Sequence, residues 1–417
     1  MEQPVEPQTS APRRWVERTS AATTHAPWIL IALGSVLRVL WPSDMEWKLD
    51  EKWMFAKALR IASGADPWPW IGMPSGAGIE NPGLSLWPFA IFARVLHDPV
   101  AMAQAVQVVN VLALWGFALW VGRTWPTADR SLGLWGVALF AVSPLPILFA
   151  RKLWAQDLLP MLVLPWLWSH SRRERSVFAF AWGLTGAWLG QLHMSGFFTA
   201  AALAAATWLF DRKRFPWRGW LAGSVCGALT LLPWLQFALF GPEHSVQAWR
   251  LTLRFFLDAG ITAWGLGLRY TLGDDFFVLL TGPVVAGVTT YAAGLAQVGL
   301  VALALFAAVT LVRQRKQLTL SEPLRLYATA IVLCGLTMSA ARVHVYAHYL
   351  IAWSPLLHVA AVWTLIRRRW ALLALCGCQL VLSVSFALFI HQHGGAPAAD
   401  YGVAYSRQTA EQRRLSE

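Results

Sequence analysis

The segment Glu46-Trp47-Lys48-Leu49-Asp50-Glu51-Lys52-Trp53 places five charged side chains within eight residues of an otherwise apolar chain. It follows the apolar run from Ala26 to Trp41, where a chain leaving a membrane would meet water again. Adjacent carboxylates beside lipid cost free energy unless they are paired or functional. The segment therefore marks a membrane boundary and makes Asp50 the first candidate for a catalytic residue.

The composition is that of a membrane protein. Of the 417 residues, 57% are hydrophobic and only 13% are charged, whereas soluble domains carry about a quarter charged residues. The formal net charge of +12 would suit nucleic acid only if the basic residues shared a water-exposed surface. They occur instead in short clusters between apolar runs, as in proteins whose basic connections set their orientation. We predict an all-α polytopic membrane protein with no nucleic-acid partner.

The cysteines and the N-terminal arginines carry no chemistry of their own. Cys226, Cys334, Cys376 and Cys378 all lie inside apolar runs and predict neither a disulfide framework nor a metal site. Arg13-Arg14 precede the first apolar run, but no convincing cleavage site follows it. That run is therefore expected to be a retained signal anchor.

About eleven segments are apolar enough to form transmembrane helices, which need roughly 17–25 residues each. The predicted spans are 26–42, 101–122, 131–149, 155–170, 176–193, 195–210, 219–240, 285–312, 324–341, 347–366 and 371–390. The stretch 84–97 is too short to span comfortably, so interfacial helices are predicted in the first outer loop.

Charge alternates along the connections between these spans. One set is short and basic, and the intervening set holds most of the acidic residues. Because basic connections stay in the cytoplasm, the N-terminus is predicted inside. The expected organisation is a cytoplasmic tail over 1–25, a transmembrane domain over 26–391 and an outer-face tail over 392–417. The outer loops are predicted at 43–100 and 241–284, and His391 and His393 are expected to be tail residues.

Asp50 and Glu51 begin a predicted short helix over 51–63, which Gly64 and Pro67 end. A structural alternative is open for Asp50, because an N-cap aspartate accepts backbone N–H bonds. The two roles are compatible, since capping uses only one lone pair.

A second constellation lies in the short turn that joins two predicted spans. Arg151, Lys152 and Asp157 would sit there at membrane depth, where ionisable groups are usually paired or functional. Cations at this place could hold a phosphate beside lipid. The alternative is a local pair between Arg151 and Asp157, with Lys152 reaching to the interface.

Polar residues also mark the outer ends of two later spans. Gln191 and His193 end one span, and a second group lies at the end of another: Arg342, His344, His348 and Tyr349. A histidine in such a place is more often a packing residue, although convergence on one face favours a site. His344 and His348 would share a face if their segment were helical, but the spacing alone is only a weak sign of metal.

The sequence resembles the membrane glycosyltransferases of the GT-C superfamily, and within it family 39, which contains protein O-mannosyltransferases and the lipid A aminoarabinose transferase. The motifs that carry the resemblance are short: Asp50-Glu51, the Gly/Pro-rich stretch 72–88, Ser143-Pro144 through Asp157, and His348-Tyr349-Leu350 followed by Ser354-Pro355. Together they cover most of the chain from about 26 to 366.

The resemblance implies transfer of a sugar from a polyprenyl phosphate to an acceptor on the periplasmic face of a bacterial inner membrane. By position, Asp50 would be the general base beside Glu51, and Asp157 the second acidic residue of the site. The leaving phosphate would be stabilised by cations drawn from Arg151, Lys152, Arg269 and Arg342. The acceptor or sugar would meet Gln191, His193, His348 and Tyr349, and single displacement would invert the anomeric carbon.

The chain also departs from this pattern. It has no room for the soluble inserted domain of the eukaryotic members, and Asp400-Tyr401-Gly402 lacks the tryptophans of the oligosaccharyltransferase WWDYG signature. A transporter or flippase of lipid-linked sugars, or a non-catalytic membrane assembly partner, remains the alternative. The sugar, the acceptor (protein, lipid or polysaccharide), a divalent metal ion and the oligomeric state are left open. If the site is right, Asp50 and Asp157 should converge on one outward-facing cavity with Lys152, Arg269 or Arg342.

Overall fold

A computed structural model describes residues 21–75, 78–241, 252–314 and 319–414. Residues 1–20 of the predicted tail over 1–25, residues 242–251 of the second outer loop and residues 415–417 of the predicted outer-face tail lie outside these ranges. The helices are α1 (Ala21–Val39), α2 (Leu49–Ala62), α3 (Trp87–Phe92), α4 (Pro99–Thr124), α5 (Thr127–Val142), α6 (Pro144–Phe149), α7 (Leu159–Ser171), α8 (Ser176–Leu192), α9 (Ser195–Asp211), α10 (Trp217–Ala228), α11 (Leu232–Phe240), α12 (Arg254–Ala263), α13 (Leu268–Leu272), α14 (Asp275–Leu279), α15 (Ala292–Gln314), α16 (Glu322–Ala340), α17 (Ser354–Leu365), α18 (Arg369–His393) and α19 (Ala410–Arg413).

Strands are few and short in the described residues. Three antiparallel hairpins pair β1 (Ile71–Pro74) with β2 (Glu80–Pro82), β3 (Val284–Val285) with β4 (Val288–Thr289), and β5 (Gly395–Ala396) with β6 (Gly402–Val403). Within the described ranges, five helical segments are long and apolar enough to cross a membrane: Pro99–Thr124, Trp217–Phe240, Ala292–Arg313, Glu322–Ala340 and Arg369–His393. The prediction of an all-α multi-pass membrane protein is thus confirmed for the described residues, whereas the count of eleven spans is not.

Proline explains several of the differences. The predicted span 131–149 is divided at Ser143, because α5 ends at Val142 and Pro144 begins α6. A proline lacks the N–H that would continue a helix, but it is favourable in a first turn. The span predicted over 347–366 is likewise divided, and α17 begins at Ser354-Pro355.

The predicted span 285–312 begins too early. Its first residues form the β3–β4 hairpin, and α15 begins at Ala292. The turn residues Ala286 and Gly287 have positive φ values of 50° and 78°, the backbone that a tight two-residue hairpin requires.

Glycines allow α8 and α10 to pack closely. Gly219, Gly223 and Gly227 recur every four residues on α10, so they share one face of the helix. A side chain at Gly219 would meet Ala179, and one at Gly227 would meet Ala187. Small residues at this spacing are typical of helix interfaces inside membranes.

Arg38 joins α1 to α5 inside the bundle. Its guanidinium is buried and donates hydrogen bonds to the carbonyls of Gly34, Ala141 and Phe140 at 2.9, 2.6 and 3.3 Å. Backbone carbonyls thus satisfy this intramembrane charge, which has a structural role here.

The bundle has two chemically different ends. One end, called the loop end, carries the connection 40–98, the connection 150–158, the connection 341–353 and the C-terminal residues. The other end, called the basic end, carries the turns 172–175 and 212–216. The candidate residues from the sequence lie mainly at the loop end.

The C-terminal residues 394–414, called the C-terminal strap, fold back over the loop end. An isolated bridge pairs Ala404 with Glu46, and the amide of Tyr405 donates to the carbonyl of Met45 at 3.0 Å. The prediction that His391 and His393 are tail residues is wrong, because α18 continues to His393. The ring of His391 stacks on Trp41, and that of His393 stacks on Phe389.

Candidate functional site

Lys152 is the centre of a charged cluster at the loop end. Its Nζ atom lies 2.6 Å from Oε2 of Glu46, and both side chains are buried. The same ammonium group lies 4.2 Å from the ring centroid of Trp154, close enough for a cation–π contact. The ion pair joins the segment that precedes α2 to the connection that follows α6.

Three further carboxylates interact electrostatically with this lysine. Asp50, Glu51 and Asp157 each have Lys152 among the charges that act on them. Asp157 is 1% exposed, and neither of its carboxylate oxygens has a hydrogen-bond partner among the described residues. Asp50, Glu51 and Asp157 thus all lie within electrostatic range of Lys152. The expected shared outward-facing cavity is not seen in the part of the chain that the structure describes, because Lys152 and Asp157 line two different small cavities and Asp50 lines neither of them.

Burial favours the protonated form of the carboxylates in the first loop. It raises the pKa of Glu46 to about 7, although the charge of Lys152 opposes the shift. Burial also raises the pKa of Asp50 and of Glu51, again against the attraction of nearby lysines. Charged carboxylates lose water on burial, and a single buried lysine offsets only part of that loss.

Asp50 lies half-buried in the first turn of α2, which spans Leu49–Ala62 rather than 51–63. Asp50 is not the N-cap of α2, so the alternative role is not observed. The carboxylate of Glu51 accepts the N–H of Lys48 at 3.1 Å and so caps this helix. Asp50 is therefore not used for capping and has water-exposed surface.

Asp157 lies at a small internal cavity. Its carbonyl oxygen accepts a hydrogen bond of 2.9 Å from Nδ2 of Asn110, and Ser354 lies on the same cavity wall. α4 therefore holds the short turn around Asp157, and α17 contributes Ser354 to the wall of the same cavity.

Rings form one wall beside Lys152. Trp154 contacts His348 edge-on at 5.6 Å, and His193 contacts both His348 and Tyr349, at 5.6 and 5.0 Å between ring centroids. Nδ1 of His193 lies 2.7 Å from Oγ of Ser195. Of the four predicted acceptor or sugar residues, His193, His348 and Tyr349 thus lie together.

Gln191, the fourth, lies apart from these rings. Its Nε2 donates to the carbonyl of Gly227 at 2.8 Å, and its Oε1 accepts the hydroxyl of Thr230 at 2.7 Å. The side-chain amide of Gln191 therefore joins α8 to the end of α10 and to the segment that links α10 to α11.

The predicted phosphate-binding cations are also separated. Arg151 donates to the carbonyls of Leu37 and Trp41 at 3.0 and 2.8 Å, at the end of α1. Arg269 is exposed and lies over the ring of Phe277, while Arg342 is exposed at the end of α16 with a φ of 55°. Of the four predicted cations, Lys152 alone has a described charge contact with the carboxylate cluster.

The histidine pair does not share a helix face. Residues 343–346 are not helical, and 347–350 form a short 3-10 turn. Nε2 of His344 lies 3.3 Å from a guanidinium nitrogen of Arg254. In the ranges that the structure describes, there is no group of three or more His, Cys, Asp or Glu placed to hold a metal ion.

Four residues of the cluster were not among the predicted site residues: Glu46, Lys48, Asp400 and Tyr401. Lys48 lies 3.5 Å from Glu46 and 3.1 Å from the carboxylate of Asp400. The hydroxyl of Tyr401 donates to the carbonyl of Asp44. The charge density of the segment 46–53 was a signal for Glu46 and Lys48, whereas Asp400 and Tyr401 were noted only as part of an incomplete WWDYG signature.

The strap also closes the ion pair from one side. A cavity of about 10 Å³ is lined by Glu46, Arg151, Lys152 and Tyr401, together with side chains of α6 and α18. This volume is about enough for a single water molecule. A sugar therefore reaches this side of Lys152 only if Tyr401 moves.

Comparison with known proteins gives one similar structure. No protein-family model matches the chain, and no curated protein matches it. A crystal structure of the Archaeoglobus fulgidus oligosaccharyltransferase in the apo form is similar to it at 14% sequence identity and a TM-score of 0.41. The match covers 94% of this chain and 56% of that chain, so the protein spans little more than half the length of that relative.

Proposed function

We propose that this chain is an integral-membrane glycosyltransferase of the GT-C kind, which moves a sugar from a polyprenyl-phosphate donor to an acceptor hydroxyl or amine. The observation that carries the proposal is the buried Lys152–Glu46 pair at one end of a membrane bundle, with Asp50, Glu51 and Asp157 all within electrostatic range of Lys152. A lipid-linked donor would present its phosphate at this level while its tail stays in the bilayer.

Asp50 is the proposed general base. Its side chain is partly exposed to water, and Glu51 rather than Asp50 caps α2. Its raised pKa brings the carboxylate closer to the pH at which proton abstraction is efficient. As Asp50 takes the acceptor proton, the acceptor atom bonds to the anomeric carbon, and the bond from that carbon to the phosphate oxygen breaks. The electron pair leaves with the polyprenyl phosphate, and the anomeric carbon is inverted.

Lys152 is the proposed group for the leaving phosphate, with Lys48 beside it. Negative charge grows on that phosphate in the transition state, and a cation out of bulk water stabilises it strongly. Glu46 pairs with Lys152 at 2.6 Å and would compete with the phosphate. Because the pKa of Glu46 is about 7, protonation of Glu46 near neutral pH releases Lys152 for the donor.

We place this reaction on the periplasmic face of a bacterial inner membrane, with the N-terminus in the cytoplasm. The support is the distribution of charge, because the basic turns 172–175 and 212–216 lie at the end of the bundle opposite Lys152. The rings of His193, His348 and Tyr349 are the proposed surface for the sugar or the acceptor.

The experiment is transfer of a radiolabelled sugar from purified polyprenyl-phosphate donors, with wild type compared with Asp50→Asn. Asp274→Asn is the matched control, since Asp274 is an exposed aspartate of the second outer loop. We expect Asp50→Asn to lose transfer by about 10²-fold or more, as for a general base, while the control keeps it. Both variants are checked for an unchanged melting temperature in detergent.

The outcomes decide which residue is the base and whether the chain is an enzyme or a transporter. Full activity in Asp50→Asn moves the base elsewhere, and Asp157→Asn is then the variant to measure. Binding of the donors by wild type without transfer would reject the enzyme and favour a transporter of lipid-linked sugars.

A further inference from the structure

An apolar groove runs along the membrane part of the chain, away from the charged cluster. α9 and α10 both pack on α8, and a cavity of about 520 Å³ lies between these helices. Its walls carry six aromatic side chains: Trp166, Phe197, Trp208, Phe215, Trp217 and Trp220. Pockets of about 300–1,000 Å³ are large enough to hold a small organic ligand.

Small residues create the space. Ala200, Ala201, Ala204 and Ala205 line the cavity from α9, and Gly183 and Gly186 line it from α8. Ala201 and Ala205 are exposed, so the groove is open on the side of α9. Small side chains usually let membrane helices touch, but here the aromatic rings keep a gap between them. Inside a bilayer, an open apolar gap is filled by a hydrocarbon chain.

One donor in the wall has no partner. Trp166 is 1% exposed and lines the cavity, and its indole Nε1 has no hydrogen-bond acceptor among the described residues. A buried N–H without an acceptor costs free energy. A ligand with an apolar body and an ester carbonyl would satisfy it.

Basic side chains lie beside the groove at the basic end of the bundle. Arg212, Lys213 and Arg214 form an exposed turn after α9, and the guanidinium of Arg212 lies 5.3 Å from the ring centroid of Trp208. Trp208 is itself a wall residue of the cavity. Arg218 is exposed on the first turn of α10. The same mouth therefore offers rings for an acyl chain and cations for an anionic headgroup.

We propose that this groove binds an anionic phospholipid from the leaflet at the basic end. One acyl chain lies along α9 among the aromatic rings, an ester carbonyl accepts the N–H of Trp166, and the phosphate pairs with Arg212, Lys213 and Arg214. Basic pockets between membrane helices bind such headgroups, and each cation near the surface adds to the attraction. The site is separate from Lys152. His193, between α8 and α9, lies at the loop end with Lys152, whereas the groove opens at the basic end, at the other ends of these two helices.

The test is native mass spectrometry of the full chain in a mild detergent, titrated with dioleoyl phosphatidylglycerol or dioleoyl phosphatidylcholine. We expect wild type to bind the anionic lipid about tenfold or more tightly than the zwitterionic one. Ala201→Trp fills the open groove and is expected to weaken both lipids. Its control is Ala302→Trp, at an exposed alanine of α15.

The headgroup contact is tested separately, with a variant that leaves the groove unchanged. Replacing Arg212, Lys213 and Arg214 by Gln is expected to bring phosphatidylglycerol affinity down to that of phosphatidylcholine. Arg94→Gln, at an exposed arginine of the loop end, is the matched charge control and should bind as wild type. Equal binding of both lipids by wild type, or unchanged binding by Ala201→Trp, would overturn the proposal.

Discussion

The Nζ atom of Lys152 and the Oε2 atom of Glu46 lie 2.6 Å apart, with both side chains almost completely removed from solvent. This pair connects the first loop to the connection between α6 and α7. Two charges without water are stable only together, because their attraction must offset the free energy of desolvating both. We expect this contact to help position α2, and with it Asp50.

Removing only one partner of this pair is expected to destabilise the fold. Lys152→Met leaves Glu46 buried without its main counter-charge, and breaking a buried pair costs about 3–5 kcal/mol. The measurement is the free energy of unfolding by denaturant titration in detergent. The double variant Glu46→Gln/Lys152→Met should lose less stability than Lys152→Met alone. A single variant as stable as wild type would show that the pair carries no such constraint.

Stability should fall as pH rises towards neutrality. The pKa of Glu46 is raised from 4.5 to about 7, so between these values the folded chain holds a proton that the unfolded chain has released. The contribution is complete below the unfolded pKa and is lost as pH rises through the folded pKa. The raised pKa values of Asp50 and Glu51 act in the same direction. We expect the melting temperature to fall between about pH 5 and pH 8, and to fall less in Glu46→Gln. Equal slopes in the two proteins would contradict this assignment.

Arg151 is expected to act on stability. Its hydrogen bonds to the carbonyls of Leu37 and Trp41 hold the end of α1, and bonds from a charged donor contribute about 1.5–3 kcal/mol each. Arg151→Met should lower the melting temperature while the remaining folded enzyme keeps its KM for the donor. Arg94→Met is the control, at an exposed arginine of the loop end. A raised donor KM without loss of stability would instead place Arg151 on the donor phosphate.

The C-terminal strap is expected to protect the first loop. Gln408 donates to the carbonyl of Trp47 at 2.7 Å, and Lys52 donates to the carbonyl of Gln412. A chain that ends at His393 loses these bonds, so the amides of 44–52 should exchange hydrogen faster. The comparison is a chain that ends at Arg414 and keeps the whole strap. Unchanged exchange in the shorter chain would show that the strap does not hold the loop.

The fold class followed from the amino-acid composition and the apolar runs, whereas prolines divided two of the predicted spans. Apolar runs between basic clusters indicated membrane helices, and Pro144 and Pro355 stand where helices begin. The length of α8 and α9, 17 residues each, explains part of the uncertain count, since such helices lie at the lower limit for a span. The sequence could not show that Val284 to Thr289 would form a hairpin, because a short apolar run is compatible with helix and strand alike.

By itself, the sequence determined that the chain is helical and membrane-bound, and that charge is concentrated at 46–53 and 151–157. Only the tertiary structure decided which charges meet. In the folded chain Lys152 pairs with Glu46, and Arg151 donates a hydrogen bond to a carbonyl of α1. Asp400 contacts Lys48, although 352 residues of sequence separate them. The physical reason is that local pattern specifies helices, whereas contacts between their ends depend on how the helices pack. A buried charge then takes whichever partner that packing places within reach.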